Sequence, residues 1–519
     1  DVLSVGSGEV TSCSVRNNVV AVVAREVGDL SGTISFFDAT TLEQLGSTFT
    51  VGPTPDSVFF SPDGRTIAIV HEGEPDYEAG LDPDGSIGFF LIDEGVSPAE
   101  VAALSAKDLT YARFDAFNED KDALIASGVR IFGDPENPDG PFGADAVTVA
   151  QDLEPEIITF SADSSTGWVS LQENNALAIV DIVNQEITDV VPLGLADHSV
   201  VGHGIDASDQ DGAINITTWP VQGMYMTDSL ATYEFEGETF VVFANEGDDR
   251  GDDVRASELF EAGLLDLTAF DDPETLFADE NLGRLNVTNV DGDLDGDGLI
   301  EQLQSFGSRS FSIRDAAGTL VFDSGDMIEQ MIAAEIPDHF NSDNDDPEFD
   351  NKSDSQGPEP EGITVGVVNG RTICFVGMED VGGIMLFDVT DPADVTYQSY
   401  FNFRDFDAEH DPDEPGFDLA ALGNTGPEGL TFIPATDSPN GVPLLVVSYE
   451  VTGTTGIYQV TVPPCTADVD GDGTVALGDL LALLAAWGPC ADCPQDFDGS
   501  GAVDVNDLLT LLASWGPCA

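Results

Sequence analysis

The 519-residue chain carries 98 Asp and Glu against 15 Lys and Arg, a formal net charge of −83, with 41% hydrophobic residues. That length and apolar content allow a large core and more than one domain. The charge leaves no basic patch for nucleic acid or an anionic membrane, and such self-repulsion is relieved where salt or divalent cations neutralise clustered carboxylates.

From the N-terminus, DVLSVGSGEV has neither the basic nor the apolar region of a signal peptide, and no run of 18 apolar residues follows. The expectation is an extracellular or cell-surface chain without a transmembrane segment, its signal peptide already removed. Short β-branched and aromatic runs then recur. TISFFDATT (33–41), SIGFFLIDEG (86–95), ALAIVDIVNQ (176–185) and GIMLFDVTDP (383–392) each read as a strand entering a hairpin. Longer strand–turn–strand stretches span 55–76, 154–175, 359–381 and 426–451, and further candidate units lie at 238–250 and 309–325. A unit that returns this often fits radial antiparallel blades. The predicted fold over residues 1–462 is mainly β, a seven-bladed β-propeller within a range of six to eight. A two-sheet sandwich is the alternative, but it does not explain the repetition. Residues 250–280 and 324–336 have helical apolar spacing, and 132–145 and 337–358 are acidic, Pro- and Gly-rich loops.

Candidate functional groups lie at strand ends. Glu154, Glu156, Glu359, Glu361 and Glu428 open innermost-type strands in the motifs EPE, EPEG and PEG. In a propeller they would converge on one mouth of the central channel, where a cation would have to join them, unless each only caps its own turn. His71, Glu72, Glu74 and Asp76, then Asn245, Glu246, Asp248, Asp249 and Arg250, then Glu379 and Asp380, all follow the second strand of their units and would share a face. Arg250, Arg309 and Arg404 stand out in an arginine-poor chain as organisers of ion pairs and, secondarily, as anion binders, and Glu246, Arg250 and Arg309 join the five glutamates as channel candidates. His198 and His203 are a weak pair of ligands or bases. No nucleophile elbow, H-E-x-x-H or phosphate-cradling loop is present.

Residues 291–302, DGDLDGDGLIEQ, follow the spacing of an oxygen-ligand calcium loop: Asp293, Asp295 and Asp297 at positions 1, 3 and 5, the Leu299 carbonyl at 7 and Glu301 at 9. Position 12 is Gln304, and no paired loop and helix follow, so this is an isolated loop; a solvated acidic turn is the competing reading. The tail, 463–519, holds two complete copies. Asp468, Asp470, Asp472, the Thr474 carbonyl and Asp479 form one set; Asp496, Asp498, Ser500, the Ala502 carbonyl, Asp504 and Asp507 form the other. Each runs into an apolar helix. Four of the six cysteines bracket these repeats. If the repeats pack antiparallel about a pseudo-twofold axis, Cys465–Cys518 and Cys490–Cys493 are the favoured pairs, because a bond within one repeat would have to span roughly 15 Å or more. Zinc is the competing use of CADC, a weak pattern without a nearby His.

The body resembles the choice-of-anchor I family in EPEIITFSADSSTGWVSLQENNALAIVDI, FANEGDDR, DLDGDGLIEQLQSFGSRSFSI, DNKSDSQGPEPEGITVGVVNGRTICFVGMEDVGGIMLFDVTDP and GPEGLTFIPA, across about residues 10–462. The resemblance implies a secreted or surface-attached propeller-like module. The tail resembles a type I dockerin, which implies calcium-dependent attachment to a cohesin-type partner. Together they imply a calcium-stabilised binding or scaffold protein docked to a cohesin or the cell envelope. The alternative is a calcium-dependent extracellular hydrolase, phytase- or phosphoesterase-like or polysaccharide-degrading.

Overall fold

A computed structural model describes residues 8–25, 30–344, 347–408, 419–462, 467–470, 474–490, 493–497 and 500–517. The chain is mainly β. The strand Thr66–His71, TIAIVH, is buried along its whole length, as befits a strand packed on both faces, and it therefore reads as a continuous apolar run without polar alternation.

Six antiparallel sheets follow one another. Their first strands are Glu9–Arg16, Pro55–Phe60, Pro155–Phe160, Leu230–Phe235, Pro360–Val368 and Pro427–Ile433. The first five sheets have four strands and the sixth has three. Each first strand packs on the first strand of the next sheet, and the space between consecutive sheets is filled by apolar side chains. Phe36 and Phe90 lie between the first two sheets, Phe89 and Val169 between the next pair, Trp168 and Phe243 after them, then Phe311 and Phe387, then Phe375 and Leu445. The sequence offers 238–250 and 309–325 as separate candidate units. The structure pairs Glu238–Asn245 with Ser310–Asp315 in the fourth sheet, so the described residues form six such sheets.

The excursion between those two strands belongs to a further five-stranded mixed sheet, ordered Leu195–Asp197, Val221–Met224, Leu303–Ser305, Asn286–Thr288 and Asp253–Arg255. It packs on the helix Ala256–Ala262 through Val221, Leu259, Leu285 and Val287. The helical spacing expected at 324–336 is realised as Met327–Glu335.

In the tail, helices Leu477–Ala485 and Val505–Ala513 pack together around Ala467, Val475, Leu483, Val503 and Leu511. Thr474 and Val475 pair with Pro517 and Gly516, while Gly488 and Pro489 pair with Val503 and Ala502. The strand that enters each helix thus pairs with the segment that follows the other helix. Cys490 and Cys493 form a disulfide with Cα atoms 5.8 Å apart; Cys465 and Cys518 lie outside the described residues. Cys13 is exposed and Cys374 buried, both as free thiols. Among the described residues no helix is long and apolar enough to cross a membrane.

Candidate metal centre

Four of the six sheets begin alike. Pro55, Pro155, Pro360 and Pro427 each face the last residue of the second strand, His71, Leu171, Met378 and Tyr449 respectively, and in each case the register then slips. Proline donates no ladder hydrogen bond, so the slip costs the sheet little there. The residue immediately after the proline is released from pairing by this bulge and is re-aimed. It is an acid every time: Asp56, Glu156, Glu361 and Glu428. Asp228, two residues before the fourth sheet's first strand, joins the same tier. Gly362 follows from the same crowding, since a side chain there would collide with the Glu428 carbonyl.

A second tier follows the second strands: Glu72, Glu173, Glu246, Glu379 and Glu450 stand one or two residues beyond the ends of Thr66–His71, Thr166–Leu171, Glu238–Asn245, Arg371–Met378 and Leu444–Tyr449. The tiers meet. Carboxylate oxygens of Asp228, Glu246 and Glu361 lie within 4.8 Å of one another, as do those of Glu246, Glu359 and Glu379, and those of Glu72, Glu154 and Glu173. Such spacing matches oxygens around one calcium ion at 2.3–2.6 Å. Glu246 belongs to two of the trios. Glu359 holds a positive φ of 55°, a backbone strain of the kind kept at functional sites.

The electrostatics are severe. Both carboxylate oxygens of Glu156, and Oε2 of Glu173 and of Glu361, are buried and receive no hydrogen bond; Glu173 and Asp228 can bond to Glu156 only when a proton is shared between the carboxyls. Burial, and then the charges of Glu428 and Glu173, push Asp56 up to about 7. Burial and neighbouring carboxylates likewise raise Glu72, Glu156, Asp228, Glu246, Glu359 and Glu361 well above the usual range. Glu428, open to solvent on one side, is raised by the surrounding protein and Glu450. Carboxylates placed this way must either hold protons or share cations. Hard, all-oxygen donors suit a hard divalent cation.

Basic side chains at the edge are already engaged. Arg250 binds Asp152 at 3.3 Å and also Glu154, and stacks over Phe132 with 4.3 Å to the ring centre. Lys352 reaches Asp380 at 2.9 Å, Asp343 at 3.6 Å and Glu359 at 3.9 Å. Arg130, not singled out by the sequence, pairs with Asp252 at 2.5 Å and Asp291 at 2.8 Å. Arg309 departs from the channel expectation. It is buried against Glu329 at 2.8 Å and donates to the carbonyls of Asp206, Ser353 and Ser355, so it braces the segment leading to Glu359 from behind. His198 is a buried loop histidine, its Nδ1 2.7 Å from the His203 carbonyl.

The body loop brings Asp293, Asp295, Asp297 and Glu301 together. Asp293 accepts backbone N–H groups from Gly296, Asp297 and Gly298; backbone bonds, the Gly298 one foremost, hold its carboxyl below the usual range. In the tail, Asp468, Asp470 and Asp479 cluster. Asp479 and Asp507 are both fully buried. They accept N–H groups at equivalent places, Val469 and Ala476 for one, Phe497 and Asp504 for the other. Asp504 also caps its helix through the Asn506 N–H at 2.8 Å. Thr474 and Ala502, expected as carbonyl donors, lie in the two strand pairs; Asp496 accepts from Ser500 and Gly501. Asp472 and Asp498 lie outside the described residues.

The profile of the choice-of-anchor I domain family matches residues 1–392. Gigasin-3a of Magallana gigas is 32% identical over 189 residues, 35% of this chain and 66% of its own length. A mesenchyme-specific cell surface glycoprotein of Strongylocentrotus purpuratus is 31% identical over 301 residues, 51% of this chain and 38% of its own length. The matched part of this chain therefore spans less than two thirds of either relative. Among solved structures, a periplasmic gluconolactonase of Pseudomonas aeruginosa aligns with a TM-score of 0.38 at 10% identity, covering 88% of this chain and 81% of that one. A β-propeller domain from Myceliophteria thermophila aligns at 0.31 and 10% identity, covering 88% and 98%.

Proposed function

We propose a cation-loaded recognition module: the chain belongs to the choice-of-anchor I family, and its six sheets are read as a propeller whose channel seats divalent cations, calcium by donor type, and presents them to an anionic ligand. The supporting observation is the pair of trios sharing Glu246, next to buried carboxylate oxygens that no donor satisfies. The surface glycoprotein relative and the family name favour an extracellular or surface setting. The body loop at 293–301 would hold a further calcium.

The tail serves attachment in this reading. Leu477, Leu481, Leu484 and Trp487 are exposed on one helix unit, and Val505, Leu509, Leu512 and Trp515 are exposed at the matching places on the other. A duplicated apolar face on a calcium-loop scaffold fits a cohesin-type partner or an envelope component.

The shared Glu246 supports one second reading. Two cations bridged by one carboxylate form the arrangement that clamps both oxygens of a phosphoryl transfer, which favours a phosphoester hydrolase over a polysaccharide one. The experiment is a calcium-supplemented screen of phytate, aryl phosphates and polysaccharides, with equilibrium dialysis for cation content, on wild type, Glu359→Ala, Glu428→Ala and Glu246→Gln. Cation binding that falls in Glu246→Gln without turnover of any substrate supports recognition. Turnover lost with the cations makes it a hydrolase, and wild type without bound cations overturns both readings.

A further inference from the structure

A second buried acidic knot lies away from the channel, where three segments far apart in sequence meet: Asp206 after the first strand of the five-stranded sheet, Glu329 in Met327–Glu335, and Asn341 with Asp350 in the acidic loop 337–358. Asp206, Glu329, Asn341 and Asp350 are 0, 1, 0 and 1% exposed. One run of hydrogen bonds joins them. The Asp206 N–H donates to Glu329 Oε2 at 3.0 Å; Asn341 Nδ2 donates to Glu329 Oε1 and to Ser353 Oγ, both at 2.9 Å; and Ser353 Oγ donates to Asp350 Oδ1 at 2.6 Å.

This run leaves three acceptors over. Asp206 Oδ1, Asn341 Oδ1 and Asp350 Oδ2 are buried with no hydrogen-bond partner. The amide of Asn341 is oriented by its neighbours, because turning it over would place its oxygen against the Glu329 carboxylate. Charge is unbalanced as well. Arg309 compensates Glu329 at 2.8 Å, while Asp206 and Asp350 have no basic partner in the run. Asp206 Oδ2 is met by the Asn215 N–H and Asp350 Oδ1 by Ser353, so each carboxylate keeps one bare buried oxygen; two such oxygens, joined through the same run to an orphan amide oxygen, call for a doubly charged species that takes oxygen donors.

We propose that a divalent cation, of the calcium class, binds between Asp206, Asn341 and Asp350. It ties the acidic loop to the insertion, and since Arg309 reaches both Asp206 and the carbonyls of Ser353 and Ser355, it fixes the segment that delivers Glu359. The competing state is a pair of protonated carboxyls, as burial alone favours: Asp206 is raised to about 7 and Asp350 to about 8.

The indole of Trp219 donates to the carbonyl of Ile205 at 3.1 Å, one residue from Asp206, which places a sensitiser for terbium(III) luminescence beside the site. In the full chain, Asp206→Asn with Asp350→Asn should lose one equivalent of calcium in equilibrium dialysis, together with the calcium-displaceable terbium emission that Trp219→Phe also removes. Glu246→Gln should keep that emission, which separates this site from the channel. Unchanged stoichiometry and emission in the double variant would overturn the proposal in favour of protonated acids. Should the double variant fail to fold, Asn341→Asp adds a carboxylate and should tighten the calcium affinity of the Trp219-reported site several-fold; weakened or unaltered affinity would overturn it equally.

Discussion

Replacing Asp56 by Asn should change how stability depends on pH. Asp56 is displaced from 3.8 to about 7 by burial and by Glu428 and Glu173. A carboxyl raised on folding contributes stability that is complete below its unfolded value and lost as pH rises through its folded value. Between pH 5 and pH 8 the unfolded chain keeps Asp56 ionised, while the folded chain must give up its proton over roughly two units. At about 1.4 kcal/mol per unit this is a loss of about 3 kcal/mol on going to pH 8. Buried His71 and His198, lowered to about 3 and about 4 by burial, act in the opposite direction. They favour the higher pH, so wild type alone does not isolate the effect. The comparison of wild type with Asp56→Asn cancels them. Urea unfolding in chelator should show the variant gaining about 3 kcal/mol on wild type between pH 5 and pH 8, and saturating calcium should shrink that gain as cations replace protons. Parallel pH profiles for the two proteins in chelator would refute the reasoning.

Three further outcomes follow from the same structure. Glu246→Gln should lower the channel's bound calcium by up to two equivalents, because one side chain serves two trios; dialysis reads this directly. Arg309→Met removes the partner of Glu329 and the donor to three carbonyls; chemical denaturation should report a loss of about 3–5 kcal/mol, the range for leaving a buried charge unpaired. Asp479→Ala, and equally Asp507→Ala, should destabilise the tail by about 2 kcal/mol through lost N–H acceptance. Trp487 and Trp515 fluorescence should report that loss while the sheets keep their own transition.

Much of the site was legible, and for a physical reason. EPE, EPEG and PEG reveal Glu156, Glu361 and Glu428 because a proline before an acid at the head of an apolar strand is conspicuous. Asp56 hides in TPDS, which reads equally well as a turn, and Asp228 has no proline at all. Only the slipped register of four sheets shows that these acids share a level. The second tier announces a common face from the sequence, and Glu246 is read there with the channel acids, but nothing local discloses that Glu379 joins the same cluster. The candidate units at 238–250 and 309–325 fall in one sheet because a long excursion separates two strands that pair, which local pattern does not disclose. Arg309 was placed by its rarity, and rarity does not say which side of a loop a guanidinium braces. In the tail, helical periodicity is a local signal, so the two helices Leu477–Ala485 and Val505–Ala513 are readable directly.

The proline-led bulges carry one more consequence. The acid at each bulge belongs to no ladder pair, so exchanging it for another residue alters the channel without disturbing the strands that carry it. Architecture and the make-up of the acidic cluster are thereby separable variables in this chain. Where a related chain shares these sheets, the residue after each of those prolines is the place to look for a different donor set.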